Sequence, residues 1–160
     1  MAMTHAWHDL VHDMRDEMHD LATISHVDAL RQAYLGLWAT FIALPLVFGL
    51  DKFAGFLSEG WEGYLPTWAN DAIPGTASDA MLWIGGLEIV LALLIVTMPR
   101  IGGDLFALWM VVVAIGIFDI GGMHELGVGA LALAVCSLAM ARMSTAYHHK
   151  EGTLQTESTL

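Results

Sequence analysis

Residues 80–98 read AMLWIGGLEIVLALLIVTM, an apolar run closed by Pro99-Arg100 and broken by a single charge, Glu88. A helix of this length crosses the roughly 30 Å of hydrocarbon in a bilayer. Inside lipid the backbone must satisfy its own hydrogen bonds, which makes such a run a helix. Working outward, apolar runs of the same kind occupy about 33–50, 104–120 and 125–143. Pro45 interrupts the first, where it predicts a kink. The sequence therefore predicts an all-α integral membrane four-helix bundle, preceded by an N-terminal amphipathic cytoplasmic helix.

Composition agrees. Of 160 residues, 56% are hydrophobic and 14% charged, against about 25% charged in soluble domains. The formal charge of -11 excludes the basic footprint needed for nucleic acid and a polybasic anchor on anionic lipid. Cys136 is the one cysteine, so an intrachain disulfide and Cys-x-x-Cys chemistry are excluded. The acidic, His-rich beginning is the reverse of a secretory leader.

Three regions follow: a segment at 1–30, the bundle at 31–143 and a polar tail at 144–160, read as disordered. Within 4–21, Trp7, Leu10, Val11, Met14, Met18 and Leu21 share one helical face, and Asp9, Asp13, Asp16, Glu17 and Asp20 the other. Ser25 and Asp28 resemble a capping box that opens the first span. The longest loop, 53–78, holds Trp61, Tyr64, Leu65 and Trp68 at i, i+3, i+4, i+7. That spacing predicts a short interfacial helix. Short turns are expected at 101–103 and 121–124. Arg15, Arg31, Arg100, Arg142 and Lys150 fall on one side of four spans, and Lys52 on the other. The positive-inside rule then puts both termini in the cytoplasm, in the cell membrane.

Three groups of residues could carry chemistry. Glu88 sits at bilayer depth, where an ionised carboxylate costs at least a few kcal/mol. It reads either as a proton-handling or ligand-contacting group or as a neutral Glu bonding helices together. A second group collects at the outer rim: Asp51, Lys52, Asp119, His124 and Glu125. Converging there, they could bind a polar headgroup, pass protons or hold a metal ion, although charges also gather at helix ends simply because the interface is wet. Asp119 stands unfavourably for the helix dipole, which suggests Lys52 as its partner. Third, His5, His8, His12 and His19 form one stripe. His8, His12 and Asp16, four apart, could seat a divalent metal, or could be a solvated face. The spans carry no facing His pairs, so no haem is expected. No nucleotide loop and no nucleophile elbow occurs.

The stretch Phe48-Gly49-Leu50-Asp51-Lys52-Phe53 resembles the signature of DoxX-like membrane proteins. So do Trp61-Glu62-Gly63-Tyr64-Leu65-Pro66, Gly85-Gly86-Leu87-Glu88-Ile89 and Pro99-Arg100-Ile101-Gly102. The resemblance covers about 31–143. It implies a four-helix membrane bundle, and a link to quinones through the related DoxD group, a subunit of thiosulfate:quinone oxidoreductase. Asp51, Lys52 and Glu88 are family-pattern positions in this comparison, without an assigned catalytic role.

Three functions are open on this reading. The chain could be an accessory or quinone-interacting subunit of a membrane redox assembly, with no covalent cofactor and a quinone as the ligand. It could be a purely structural subunit of a larger complex. It could be a small proton-coupled carrier, for which four helices would require a homo-oligomer. Catalysis by the chain alone is not expected. Its partners are the bilayer and other membrane or redox subunits, the N-terminal helix being the docking element.

Overall fold

The computed structural model describes residues 14, 15, 18, 19, 29–58 and 60–157, with side chains to 145. Among them every element is helical. Four helices are long and apolar enough to cross a membrane: α1 (Ala29–Ala54), α3 (Ala77–Thr97), α4 (Pro99–Ile120) and α5 (His124–Glu157). A single 3-10 turn (Trp61–Tyr64) and a short α2 (Thr67–Ala72) lie between α1 and α3. The chain is a multi-pass membrane protein by this architecture. Of the residues expected to form an N-terminal amphipathic helix, Met14, Arg15, Met18 and His19 are described, and are helical. The other residues of that expectation, and Ser25 and Asp28 of the expected capping box, lie outside the described residues.

The spans are longer than the apolar runs suggested, because polar residues at their ends complete the last turns. α1 continues past Asp51 and Lys52 to Ala54, and Pro45 lies inside it without ending it. Gly55 then takes φ 64°, and its N–H donates to Asp51 O at 2.7 Å, the left-handed glycine that closes many helices. α3 begins at Ala77, before the expected Ala80. Thr76 Oγ1 accepts from the Asp79 N–H at 3.2 Å, and Asp79 Oδ2 accepts from the Thr76 N–H at 2.9 Å, a reciprocal capping box. The turn expected at 101–103 is absent. Met98 alone separates α3 from α4, and Pro99 starts α4 at a position that needs no N–H. The helix α5 runs on to Glu157 where a disordered tail was expected from 144.

The interfacial helix expected over 61–68 is broken. Pro66, which has no N–H to donate, sits at the N-cap of α2 with extended backbone (φ -68°, ψ 151°). Trp61 and Tyr64 therefore belong to the 3-10 turn, and Trp68 to a separate helix.

In the bundle α1 packs on α3, α3 on α4, α4 on α5, and α5 returns to α1. Its bulky core lies toward the chain termini: Tyr34, Leu35, Trp38, Phe41, Leu91, Ile95, Phe106 and Met140. Phe41 and Phe106 meet with ring centroids 5.5 Å apart. Two polar contacts reinforce this half. Trp38 Nε1 donates to Ile95 O at 3.2 Å, and Ser137 Oγ to Gly103 O at 2.8 Å. In the opposite half the buried positions are mostly small, among them Gly49, Gly85, Ala114, Gly116, Ala130 and Ala134. The outward faces carry large apolar side chains such as Trp83, Leu108, Val128 and Val135, as a lipid-facing surface requires.

Close approach is what glycine contributes. A Cβ on Gly102 would stand 2.5 Å from Ile95 N and 2.7 Å from Ile95 Cα, both backbone atoms of α3. Gly102→Ala should therefore push α3 and α4 apart and destabilise the bundle by about 2 kcal/mol, read as a lower unfolding midpoint in detergent micelles. Gly129 faces open space, so Gly129→Ala should be neutral or stabilising by up to about 1 kcal/mol.

Candidate functional site

Glu88 lies near the midpoint of α3 (Ala77–Thr97) and is buried. A carboxylate there needs a counter-charge or a full set of donors. The counter-charge comes from α1. Lys52 Nζ lies 2.8 Å from Glu88 Oε2, with side chains 5% and 10% exposed. Two features of the sequence make this possible. Helical side chains lean toward the N-terminus of their own helix, so Lys52, near the end of α1, points back into the bundle. Its Nζ also donates weakly to Phe48 O, one turn earlier, at 3.4 Å. The second feature is the pair of glycines Gly49 and Gly85. A Cβ on Gly49 would meet Gly85 O at 2.8 Å, and one on Gly85 would meet Gly49 O at 2.9 Å and Lys52 Cβ at 3.0 Å. Only glycine at both positions lets α1 and α3 come close enough for the pair to form without displacement.

The outer loop roofs the pair. The Trp61 ring lies over Lys52 Nζ, 4.2 Å from centroid to nitrogen, a cation–π contact strengthened by removal from water. Phe48 and Tyr64 hold the indole from two sides, at centroid distances of 6.1 and 5.7 Å. Asp51 fixes its angle. It is fully buried and accepts from Trp61 Nε1 at 2.6 Å, Leu57 N at 2.5 Å and Ser58 N at 3.2 Å. Three donors satisfy this carboxylate, so Asp51 ties the loop to the end of α1.

From α4, the Trp109 indole N–H neighbours the Glu88 carboxylate but does not reach hydrogen-bond geometry with it. Trp109 Nε1 is buried and bonds to no other group.

The site thus gathers Glu88, Lys52 and Asp51 of the expected residues. Asp119, His124 and Glu125 are exposed, and Lys52 pairs with Glu88 instead of Asp119, because the lean of its side chain carries it into the bundle rather than along the rim. His124 stacks on Phe118, with centroids 6.0 Å apart. Among the described residues no group of three or more His, Cys, Asp or Glu could hold a metal ion. His8, His12 and Asp16 lie outside the described residues. Sequence reading did not foresee Trp61 and Trp109 as site residues. For Trp61 the signal was available in its ten-residue separation from Asp51 across a Gly-rich loop. For Trp109 no local pattern exists, since its position depends on how α4 packs on α3.

Compared with known protein families, curated proteins and solved structures, the chain matches none.

Removing one charge of the pair leaves the other buried and uncompensated. Lys52→Met should cost about 3 kcal/mol, and the double variant Lys52→Met, Glu88→Leu should recover most of that loss. Denaturant titration of the variants in micelles reads the difference. A double variant as unstable as Lys52→Met alone would show that the charges do not oppose one another's burial.

Proposed function

We propose that this chain is a quinone-interacting membrane subunit of a redox assembly, not catalytic by itself. The observation that carries the reading is the Lys52–Glu88 pair, held near the middle of a span beneath the Trp61 ring. Its two charges cancel, leaving a polar spot of no net charge inside an apolar bundle. That environment suits the polar head of a lipid-soluble ring molecule better than it suits an ion. The Phe48–Phe53, Trp61–Pro66 and Gly85–Ile89 stretches, with their resemblance to DoxX-like proteins, support the same reading. Electrons would come from a partner, since the described part of the chain brings together neither a dithiol nor a set of metal ligands.

A purely structural subunit is the second reading. It is favoured by the completeness with which Asp51 is satisfied and by the mutual pairing of Lys52 and Glu88.

The two readings separate on binding. Purified protein in dodecyl maltoside should retain decylubiquinone in equilibrium dialysis with saturable, stoichiometric binding. Lys52→Met, Glu88→Leu should abolish it while leaving the fold intact. Partition no greater than that of empty micelles would sink the quinone reading and leave the structural one.

The distribution of basic residues further supports an orientation with both termini in the cytoplasm of a cell-membrane protein. Glu62 is exposed on the loop between α1 and α3. In a Cys136→Ser background, Glu62→Cys should react with an impermeant maleimide in intact cells. Labelling only after lysis would reverse the orientation.

A further inference from the structure

We infer that the lipid-side flank between α4 and α5, at the end of the bundle that carries the chain termini, binds the headgroup of an aminophospholipid. Arg100 and Arg142 take its phosphate, and Asp104 takes its ammonium. The inference stands apart from the quinone reading and uses none of the residues around Glu88.

Helix packing brings the three residues together. α4 ends at Ile120 and α5 starts at His124, so the two run antiparallel. They touch at Gly103, where a Cβ would stand 2.7 Å from Met140 Cε, 3.0 Å from Ala141 Cβ and 3.2 Å from Ser137 O. Through this contact Arg100 and Arg142 lie at nearly one depth, in the first turn of α4 and near the end of the apolar part of α5. Each residue turns a helix by about 100°. Arg100 and Asp104, four apart, therefore share the flank of Gly103 that faces away from Gly102 and its contact with Ile95. Arg142 lies on the flank of Ala141 away from Met140, a core residue. Both flanks open to lipid, and Arg100, Leu108, Leu138 and Arg142 are exposed. Side chains lean toward the N-terminus of their own helix. Asp104 thus leans outward and Arg142 inward, toward one level just below Arg100.

These charges meet no partner. Among the described residues Lys52 and Glu88 form the ion pair, and no hydrogen bond engages the charged ends of Arg100, Asp104 or Arg142. Asp104 Oδ1 is buried without a donor, which leaves Oδ2 as the oxygen open to the flank. Arginine suits phosphate because its planar fork presents paired N–H donors, and basic sites at the ends of spans take lipid headgroups. Asp104 then selects among them. A glycerol headgroup brings it no cation. Choline brings a charge without an N–H. A serine headgroup sets a second carboxylate beside it. Ethanolamine supplies both the opposite charge and the donors, while the acyl chains lie along Leu108 and Leu138.

The test is native mass spectrometry of the full-length protein from dodecyl maltoside micelles holding equal amounts of dioleoyl phosphatidylethanolamine, phosphatidylcholine and phosphatidylglycerol. The wild type should retain one phosphatidylethanolamine per chain, roughly tenfold in preference to either of the others. Asp104→Ala should reduce its retention to that of phosphatidylcholine. The double variant Arg100→Gln, Arg142→Gln, altered only at exposed positions, should lose retention of all three with an unchanged unfolding midpoint. Equal retention of the three lipids by the wild type overturns the inference without recourse to any variant. An ethanolamine preference that persists in Asp104→Ala overturns it as well. So does displacement of the bound lipid by an equimolar amount of soluble phosphoethanolamine, which would make this a site for a free phosphate ester.

Discussion

The burial of Glu88 near the middle of α3 is the constraint around which the rest of the site is arranged. A lone carboxylate at that depth is not tolerated, and no water is at hand to solvate it. The neutralising charge has to come from the chain. It comes from Lys52 because the tilt of side chains on α1 aims an ammonium inward, and because Gly49 and Gly85 remove the bulk that would hold α1 and α3 apart. The same ammonium, once drawn inward, needs cover on its outer side. The Trp61 ring supplies it, and Asp51 holds that ring by its N–H. One buried charge thus accounts for two glycines, a lysine, a tryptophan and an aspartate.

The bundle divides accordingly. Toward the chain termini, the aromatic and aliphatic cluster of Trp38, Phe41, Ile95, Phe106 and Met140 fills the interior as a soluble core would. Since lipid is as apolar as these side chains, packing and the Trp38 and Ser137 hydrogen bonds hold that half together, with no help from the expulsion of water. Toward the other end the interior positions are small, and the polar contacts concentrate there. The division puts bulky packing on one side and the buried ion pair on the other.

Much of the fold was legible because lipid imposes a single rule. Four apolar runs gave four helices, each lengthened by polar turns that hydropathy alone cannot see. Asp51 and Lys52 were read as the end of α1, yet they lie within its last turns. Thr76 and Asp79 were passed over, although Thr-x-x-Asp is a helix start written in the sequence. The interfacial helix failed for a local reason: the aromatic spacing was helical, but Pro66 sat in the middle of it. The site was legible in part. Glu88 was singled out from its depth, and Asp51 and Lys52 from their place at a helix end. Their grouping was not, since charges at the ends of four helices look alike in sequence. Which of them turn inward depends on side-chain direction and on a glycine contact between α1 and α3, two matters that appear only when the helices are set side by side.

The one-residue joint at Met98 has a mechanical meaning. With Pro99 fixing the backbone on one side and Gly102 seated against the backbone of Ile95 on the other, α3 and α4 form a stiff fork whose tines cannot swing apart at that end. α1 is joined to the fork by a long loop and laid against it through the close Gly49–Gly85 approach. Glu88 and Trp109 ride together on the fork, while Lys52 and Asp51 ride on the other part. The ion pair is then the seam between the fork and the helix laid against it.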